Sequence, residues 1–425
     1  MKAFIVFICL SSFAFSKVYS LNEVYEAALE NSDSYTIAVL NEEASSKEID
    51  KSFSEFLPKA TIEYEHLRLN EYPVIVDGVE TERRKDRNDI TLTVEQTVYD
   101  RSKYLQYEDN KVIYDQTDLE KQKEKQQLIF DVIKYYFETL YKANQIVVIE
   151  QKMKSIQKIV ERAKAKYKSG FISKADYLEA KLEQDELVIK KIELESEYQS
   201  SKSFLEKLAQ VNDIEIKKDI QLKHIHLNTL SHNMEQYENN LDFKIQKLKL
   251  DRAEIQRDIA ISKFEPTANI TYERVDNDIT ASDIQRTITF LVKMNIFNGF
   301  YDKRAYQKSN IEKQIERSNL TKLIKDIQQN IKNKTNNVKT FHNIILAYPE
   351  VLETKLFSLE GMRERFKRGT KSIIDLLDEE DKYFEKLNKY IEYQYLFIVE
   401  YATLKQYTNS LNSEFINRVD GFLYE

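Results

Sequence analysis

Residues 365–378 read RFKRGTKSIIDLLD, and residues 166–178 read KYKSGFISKADYL. In each, an aromatic (Phe366, Tyr167) and basic side chains precede a glycine (Gly369, Gly170) at which helical periodicity stops. A serine (Ser372, Ser173) then suits the N-cap of a new helix with a carboxylate (Asp375, Asp176) in its first turn. The chain of 425 residues has only 6 Gly, so two at matched places mark the tips of two helical hairpins.

The stretches that feed those tips are long. No Gly or Pro interrupts about 102–167, and a second helical stretch runs from about Asp302 to Phe366. Sixty-odd residues at 1.5 Å each span roughly 95 Å, far more than a globular core, so stability must come from side-by-side packing. The spacing allows it: Ile129, Val132, Tyr136, Leu140, Ala143 and Val147 step by 3 and 4, with Ile133, Phe137 and Tyr141 alongside. Phe384, Leu387, Ile391, Tyr395, Ile398 and Ala402 repeat the pattern, and two stripes on one helix suit a closed tube of helices. Pro349 falls inside the second long helix and should kink or break it near Tyr348.

Ahead of each long helix the period changes to two. Leu57-Pro58 ends a first helix, 60–69 reads as a strand, and a charged loop with Pro73 and Asp77-Gly78 follows. Ile90, Leu92, Val94 and Val98 then alternate with Thr91, Thr93, Glu95 and Thr97. After Phe264-Glu265-Pro266 the order recurs: a strand at 268–275, then Ile288, Phe290, Val292, Met294 and Ile296 alternating with polar residues. The two prolines, Pro58 and Pro266, lie 208 positions apart and the tip glycines 199. An internal duplication explains such spacing. The expected division is a leader at 1–20, a first repeat at 21–211 with its strand pair at 57–100, and a linker at 212–233. A second repeat at 234–411 carries its strand pair at 266–298, and a C-terminal tail covers 412–425.

Strands of about nine residues with apolar and polar faces match what a tilted membrane strand needs. Four cannot close a barrel, and open edges do not survive in lipid, so several copies must contribute to one barrel. The fold class is a membrane β-barrel joined to a long α-helical barrel. Residues 1–20 read as a secretory signal: Lys2, an apolar run from Ala3 to Phe15, and a cut after Val18-Tyr19-Ser20. Cys9 lies in that run, leaving no thiol site in the exported chain. A net charge of −7 suggests no nucleic-acid partner. His224-x-His226 lacks a third ligand, and His66, His232 and His342 stand apart, so no metal or cofactor is expected. No phosphate loop or catalytic motif occurs, which argues against an enzyme.

The start LNEVYEAAL, the joints FLP and FEP, the joints VEQTVYD and VKMNIFNG, and the tip GTKSIIDLLD together resemble the TolC family of trimeric outer-membrane efflux and secretion proteins. The resemblance covers about 21–410. It implies a homotrimer with a twelve-stranded barrel in outer-membrane lipid and a helical tube reaching into the periplasm of a Gram-negative bacterium. It also implies a passive exit duct gated at its tips, docking with a periplasmic adaptor (membrane fusion) protein and an inner-membrane transporter. Asp375 and Asp378 match the aspartates that ring the pore at its narrowest point; first-turn carboxylates also stabilise helix starts, as Asp176 can. The family's latch is altered here. Phe366 stands where a tyrosine would partner Asp176, Lys371 replaces an arginine, and Ala175 replaces its hydroxyl partner. Lys371 pairing with Asp176 or Asp378 is the expected substitute. A trimeric barrel-anchored surface stalk or adhesin is the alternative function, and it would carry one terminal membrane segment rather than two internal strand pairs.

Overall fold

A computed structural model describes residues 18–68, 72–76, 79–83, 87–216, 236–277 and 284–424. Residues 1–17 of the expected leader, most of the expected linker, and His224, His226 and His232 lie outside the described residues. The chain forms two compact units: one of residues 1–36, 122–241 and 325–425, the other of 37–121 and 242–324.

The second unit holds the strands. After α1 (Leu21–Asn31) and α2 (Asp33–Ser54) come β1 (Lys59–Leu67), β2 (Tyr72–Val76), β3 (Val79–Arg83) and β4 (Arg87–Tyr99). β5 (Thr267–Asn277) and β6 (Gln285–Lys293) follow α5 (Leu241–Ser262). One antiparallel sheet has the order β1-β4-β5-β6, with Ile62 opposite Leu92, Leu92 opposite Arg274, and Ile270 opposite Phe290. Both strand-pair regions therefore meet in one sheet through β4 and β5.

Two expectations about strands need correction. The charged loop around Pro73 is a hairpin, β2 against β3, with Val76 opposite Val79. β6 also stops at Lys293, short of Met294 and Ile296. Its partner β5 begins at Thr267, opposite Lys293, directly after Pro266, which cannot donate to a ladder.

The long helices follow. α3 (Arg101–Lys168) begins where the Asp100 carboxylate accepts the Ser102 backbone N–H at 2.9 Å. Its 68 residues span about 100 Å at 1.5 Å each. α4 is Lys174–Ala209, α6 Tyr301–Lys367, α7 Ile373–Tyr407 and α8 Ser413–Tyr424. α6 runs through Pro349 without a break, so of the expected kink or break only the break is excluded. One lost hydrogen bond is offset there by packing, since Tyr348 stacks on Tyr390 of α7 at 5.6 Å. The expected C-terminal tail is the helix α8, which buries Phe415, Ile416 and Val419.

The first unit contains the helical core. Ile129, Val132, Ile133, Tyr136 and Phe137 of α3 are all buried, so both stripes of that helix have neighbours. Nearer the tips, Ile156, Ile159 and Ala163 of α3, Ala180 and Leu187 of α4, Leu359 and Phe366 of α6, and Ile373 and Leu376 of α7 form one apolar cluster. Each large side chain fully buried there contributes about 1.5–3 kcal/mol. The tips rest on a packed four-helix base.

Candidate functional site

The two tips have the same construction. At the end of α3 the Gly170 N–H donates to the Tyr167 carbonyl oxygen at 3.0 Å, and the Phe171 N–H to the Lys166 carbonyl oxygen at 2.9 Å. At the end of α6 the Gly369 N–H donates to the Phe366 carbonyl oxygen at 3.1 Å, and the Thr370 N–H to the Arg365 carbonyl oxygen at 3.0 Å. This paired pattern needs a left-handed residue just past the helix, and the two glycines have φ +76° and +77°. A reciprocal cap opens the next helix in both. The Ser173 Oγ accepts the Asp176 N–H while the Asp176 carboxylate accepts the Ser173 N–H, each at 3.1 Å. Ser372 and Asp375 do the same at 3.0 and 3.1 Å.

Between the tips lies a cleft of about 890 Å³, lined by Lys166, Phe171, Phe366, Lys371, Ser372 and Asp375 among others. Lys166 crosses it. Its Nζ donates to the Phe366 carbonyl oxygen at 2.7 Å and stands 4.2 Å from the centre of the Phe366 ring. The ring itself is buried in the apolar cluster, while Ala175 is exposed. Phe366 therefore serves packing and a cation contact, where a hydroxyl would have reached for a carboxylate.

The carboxylates and Lys371 pair locally, which corrects the expected latch. Lys371 Nζ lies 3.7 Å from Asp375, one turn away, rather than against Asp176 or Asp378. Asp378 instead pairs with Lys382, and Asp176 with the cap at Ser173. The Ser372 backbone N–H, then its hydroxyl, and then Lys371 hold the Asp375 carboxyl below the usual aspartate range. Within one protomer the capping role of Asp375 is what the geometry displays. Asp375 and Asp378 nonetheless lie one turn apart on the side of α7 away from buried Ile373, Leu376 and Leu377.

Of the acidic run at 378–381, half is buried. Glu380 is fully buried and Glu379 nearly so. The Glu380 carboxylate accepts from Arg363 Nε at 2.8 Å and from the Ser155 hydroxyl at 2.8 Å, while Arg363 Nη2 also donates to Ser155 Oγ at 2.8 Å. Lys152 adds a second tie, 2.7 Å from both Glu183 and Asp381. Burial lowers the Lys152 pKa, but Asp381 and Glu183 outweigh it and leave the net shift upward. Both clusters join the first hairpin, α3–α4, to the second, α6–α7.

At the strand joints, Pro58 and Pro266 stand directly before β1 and β5. Glu265 accepts from the Tyr99 hydroxyl at 2.9 Å and pairs with Arg101, fixing one joint to the start of α3. His66 bonds Asn88 and His342 packs on Phe397. Among the described residues no group of side chains is arranged to hold a metal ion.

The family model described as outer membrane efflux protein matches residues 24–209. The outer membrane protein TolC of Salmonella enteritidis is 19% identical over 428 residues, covering 95% of this chain and 85% of that protein. Solved structures share the fold along nearly the whole chain. The channel CusC superposes with a TM-score of 0.83 at 14% identity, covering 93% of each chain. The outer membrane protein VceC of Vibrio cholerae gives 0.79 at 14%, covering 91% of this chain and 95% of that one. With the family model on residues 24–209 and one fold along nearly the whole chain, the chain is similar to the TolC family of outer membrane efflux proteins.

Proposed function

We propose that the chain is one third of a homotrimeric channel-tunnel, a passive exit duct for a tripartite efflux pump or a type I secretion system. The observation that carries this reading is the four-stranded sheet. β1 and β6 each have one unpaired edge, and Ile62, Ile288 and Phe290 are 62–77% exposed. Such edges must be closed in a bilayer, and joining β6 of one copy to β1 of the next closes them into twelve strands. The helices would carry the passage into the periplasm, where the tips would meet an adaptor and an inner-membrane transporter. No catalytic step is involved.

At the tips, Asp375 and Asp378 from three copies would place six carboxylates around one axis, favouring cations. The inter-hairpin contacts of Lys166, Arg363 and Lys152 would hold that end narrow. The test is single-channel recording of the mature protein in a planar bilayer. A small cation-selective conductance that rises in Asp375→Ala and Asp378→Ala is expected. A stably inserted trimer that conducts nothing, even with both aspartates removed, would point to an anchored stalk and overturn the duct.

A further inference from the structure

We propose that Arg274 and Arg286, on the lipid-facing side of the sheet, bind a phosphate group of the phosphorylated glycolipid in the outer leaflet. The proposal rests on the duct reading above, which puts the hairpin ends of the strands outermost. Arg274 on β5 and Arg286 on β6 stand directly opposite each other in the antiparallel register. The same row continues through Leu92 to Ile62, so both guanidinium groups share the face that carries the exposed apolar side chains.

Like charges directly opposite in a strand pair repel, with their Cβ atoms about 5 Å apart. The charges present do not cancel this repulsion. Asp276 holds one arginine, its carboxylate accepting from Arg274 Nη2 at 2.9 Å and from Arg274 Nε at 3.4 Å. Arg286 is exposed and has no hydrogen bond or ion pair among the described residues. The other carboxylates of the sheet, Glu63, Glu65, Asp89, Glu95 and Glu273, occupy the alternate positions and project from the opposite face. Two guanidinium groups and one carboxylate therefore leave a net positive charge on a face that is otherwise uncharged.

Height along the strands fits a lipid headgroup. Both arginines stand seven residues from the helix-side ends of their strands, Thr267 and Lys293. At about 3.4 Å per residue and a tilt near 40°, that lifts them roughly 18 Å through an apolar band about 25 Å tall. Their aliphatic stems cover the remaining distance and keep the charged heads at the boundary. Below them Ile270, Tyr272, Ile288 and Phe290 lie on the same face, where acyl chains would rest. A phosphate placed between the two planar forks accepts from both and removes the repulsion that sets them apart. Asp276 already fixes Arg274, so only Arg286 has to be ordered when the lipid arrives.

The experiment is native mass spectrometry of the full-chain trimer, stripped of lipid in detergent and titrated with lipid A in bis-phosphorylated and dephosphorylated forms. One phosphorylated lipid per copy is expected, with the dephosphorylated form held roughly tenfold or more weakly. Arg286→Gln should weaken the phosphorylated lipid by a similar factor, and Arg286→Lys, which keeps the charge without the fork, by less. Lys59→Gln, on the opposite face of the sheet, should leave binding unchanged. Equal retention of the two lipid forms, or full retention by Arg286→Gln, overturns the proposal. Displacement of the lipid by an equal concentration of inorganic phosphate would assign the pair to a free anion and overturn it too. If Arg286→Gln gave no trimer, the two lipid forms on the parent protein would still decide. A parent protein that forms no trimer sinks the duct reading as well, whereas a trimer indifferent to phosphate sinks this proposal alone.

Discussion

Arg363 and Glu380 form an ion pair, 2.7 Å between Nη2 and Oε1, whose carboxylate is closed off from solvent. The Ser155 hydroxyl from the other hairpin completes it, and the second carboxylate oxygen, Oε2, has no protein partner. Removing one member of a buried pair strands a charge, which costs about 3–5 kcal/mol, whereas apolar replacement of both is often neutral. Arg363→Met should therefore lower the unfolding midpoint sharply and speed amide exchange around 376–384. Arg363→Met combined with Glu380→Leu should recover most of that loss. A single variant as stable as the parent would show that the pair carries no such weight.

This pair also marks where the sequence could be read and where it could not. The hairpins, their glycine turns and their serine caps were legible because each rests on short-range chemistry: one residue type, one backbone geometry. The sheet partners were legible from alternation, but the end of β6 was not, because it depends on where Pro266 lets its neighbour begin. That Pro349 does not end its helix was hidden for a similar reason, since a proline rule is local and the packing of Tyr348 on Tyr390 is not. Glu380 had a usable signal. It sits three or four residues from Leu376, Leu377 and Phe384 and seven from Ile373, on the apolar stripe itself, yet the acidic run around it reads as a solvated face. Its partners Arg363 and Ser155 come from 17 and 225 residues away, and no spacing rule joins them.

A pH dependence follows from Asp375. Its folded pKa lies below the ordinary aspartate value through the Ser372 N–H and hydroxyl and the nearby Lys371. The sign is that of a depressed acid: the stabilisation is present above the unfolded pKa of about 3.9 and is lost as pH falls through the folded value. Cation selectivity attributable to Asp375 should persist below the range in which free aspartates protonate. Ser372→Ala should move the selectivity midpoint upward and cost about 0.5–2 kcal/mol of helix-cap stability. Reversal potentials recorded between pH 3 and 6 check this, and an unchanged midpoint would remove Ser372 from the argument.

Lys166 makes a different prediction, because its two contacts with Phe366 can be separated. A hydrogen bond to a charged donor contributes roughly 1.5–3 kcal/mol, and a cation–π contact about 0.5–2. Phe366→Leu should keep the carbonyl bond and lose the ring contact with part of the apolar packing. Lys166→Met loses both and should widen the tips most. Single-channel conductance should rise in the order parent, Phe366→Leu, Lys166→Met. If Lys166→Met conducted like the parent, the crossing contact would not restrain the gate.

The last prediction concerns two glycines in the same hairpin. Gly369 has φ +77°, and a Cβ built there would meet nothing within 4 Å, so any penalty is conformational rather than steric. Gly369→Ala should cost about 1–2 kcal/mol, the left-handed penalty for a side chain, and Gly369→Asn less. Gly361 lies within α6, where a Cβ would only touch the Arg365 side chain at 4.0 Å. Gly361→Ala should stabilise by about 0.8–1 kcal/mol, the helix-propensity difference. Thermal melts of the detergent-solubilised protein should move in opposite directions for the two alanines. Equal shifts would mean that the turn at Gly369 does not depend on its left-handed residue.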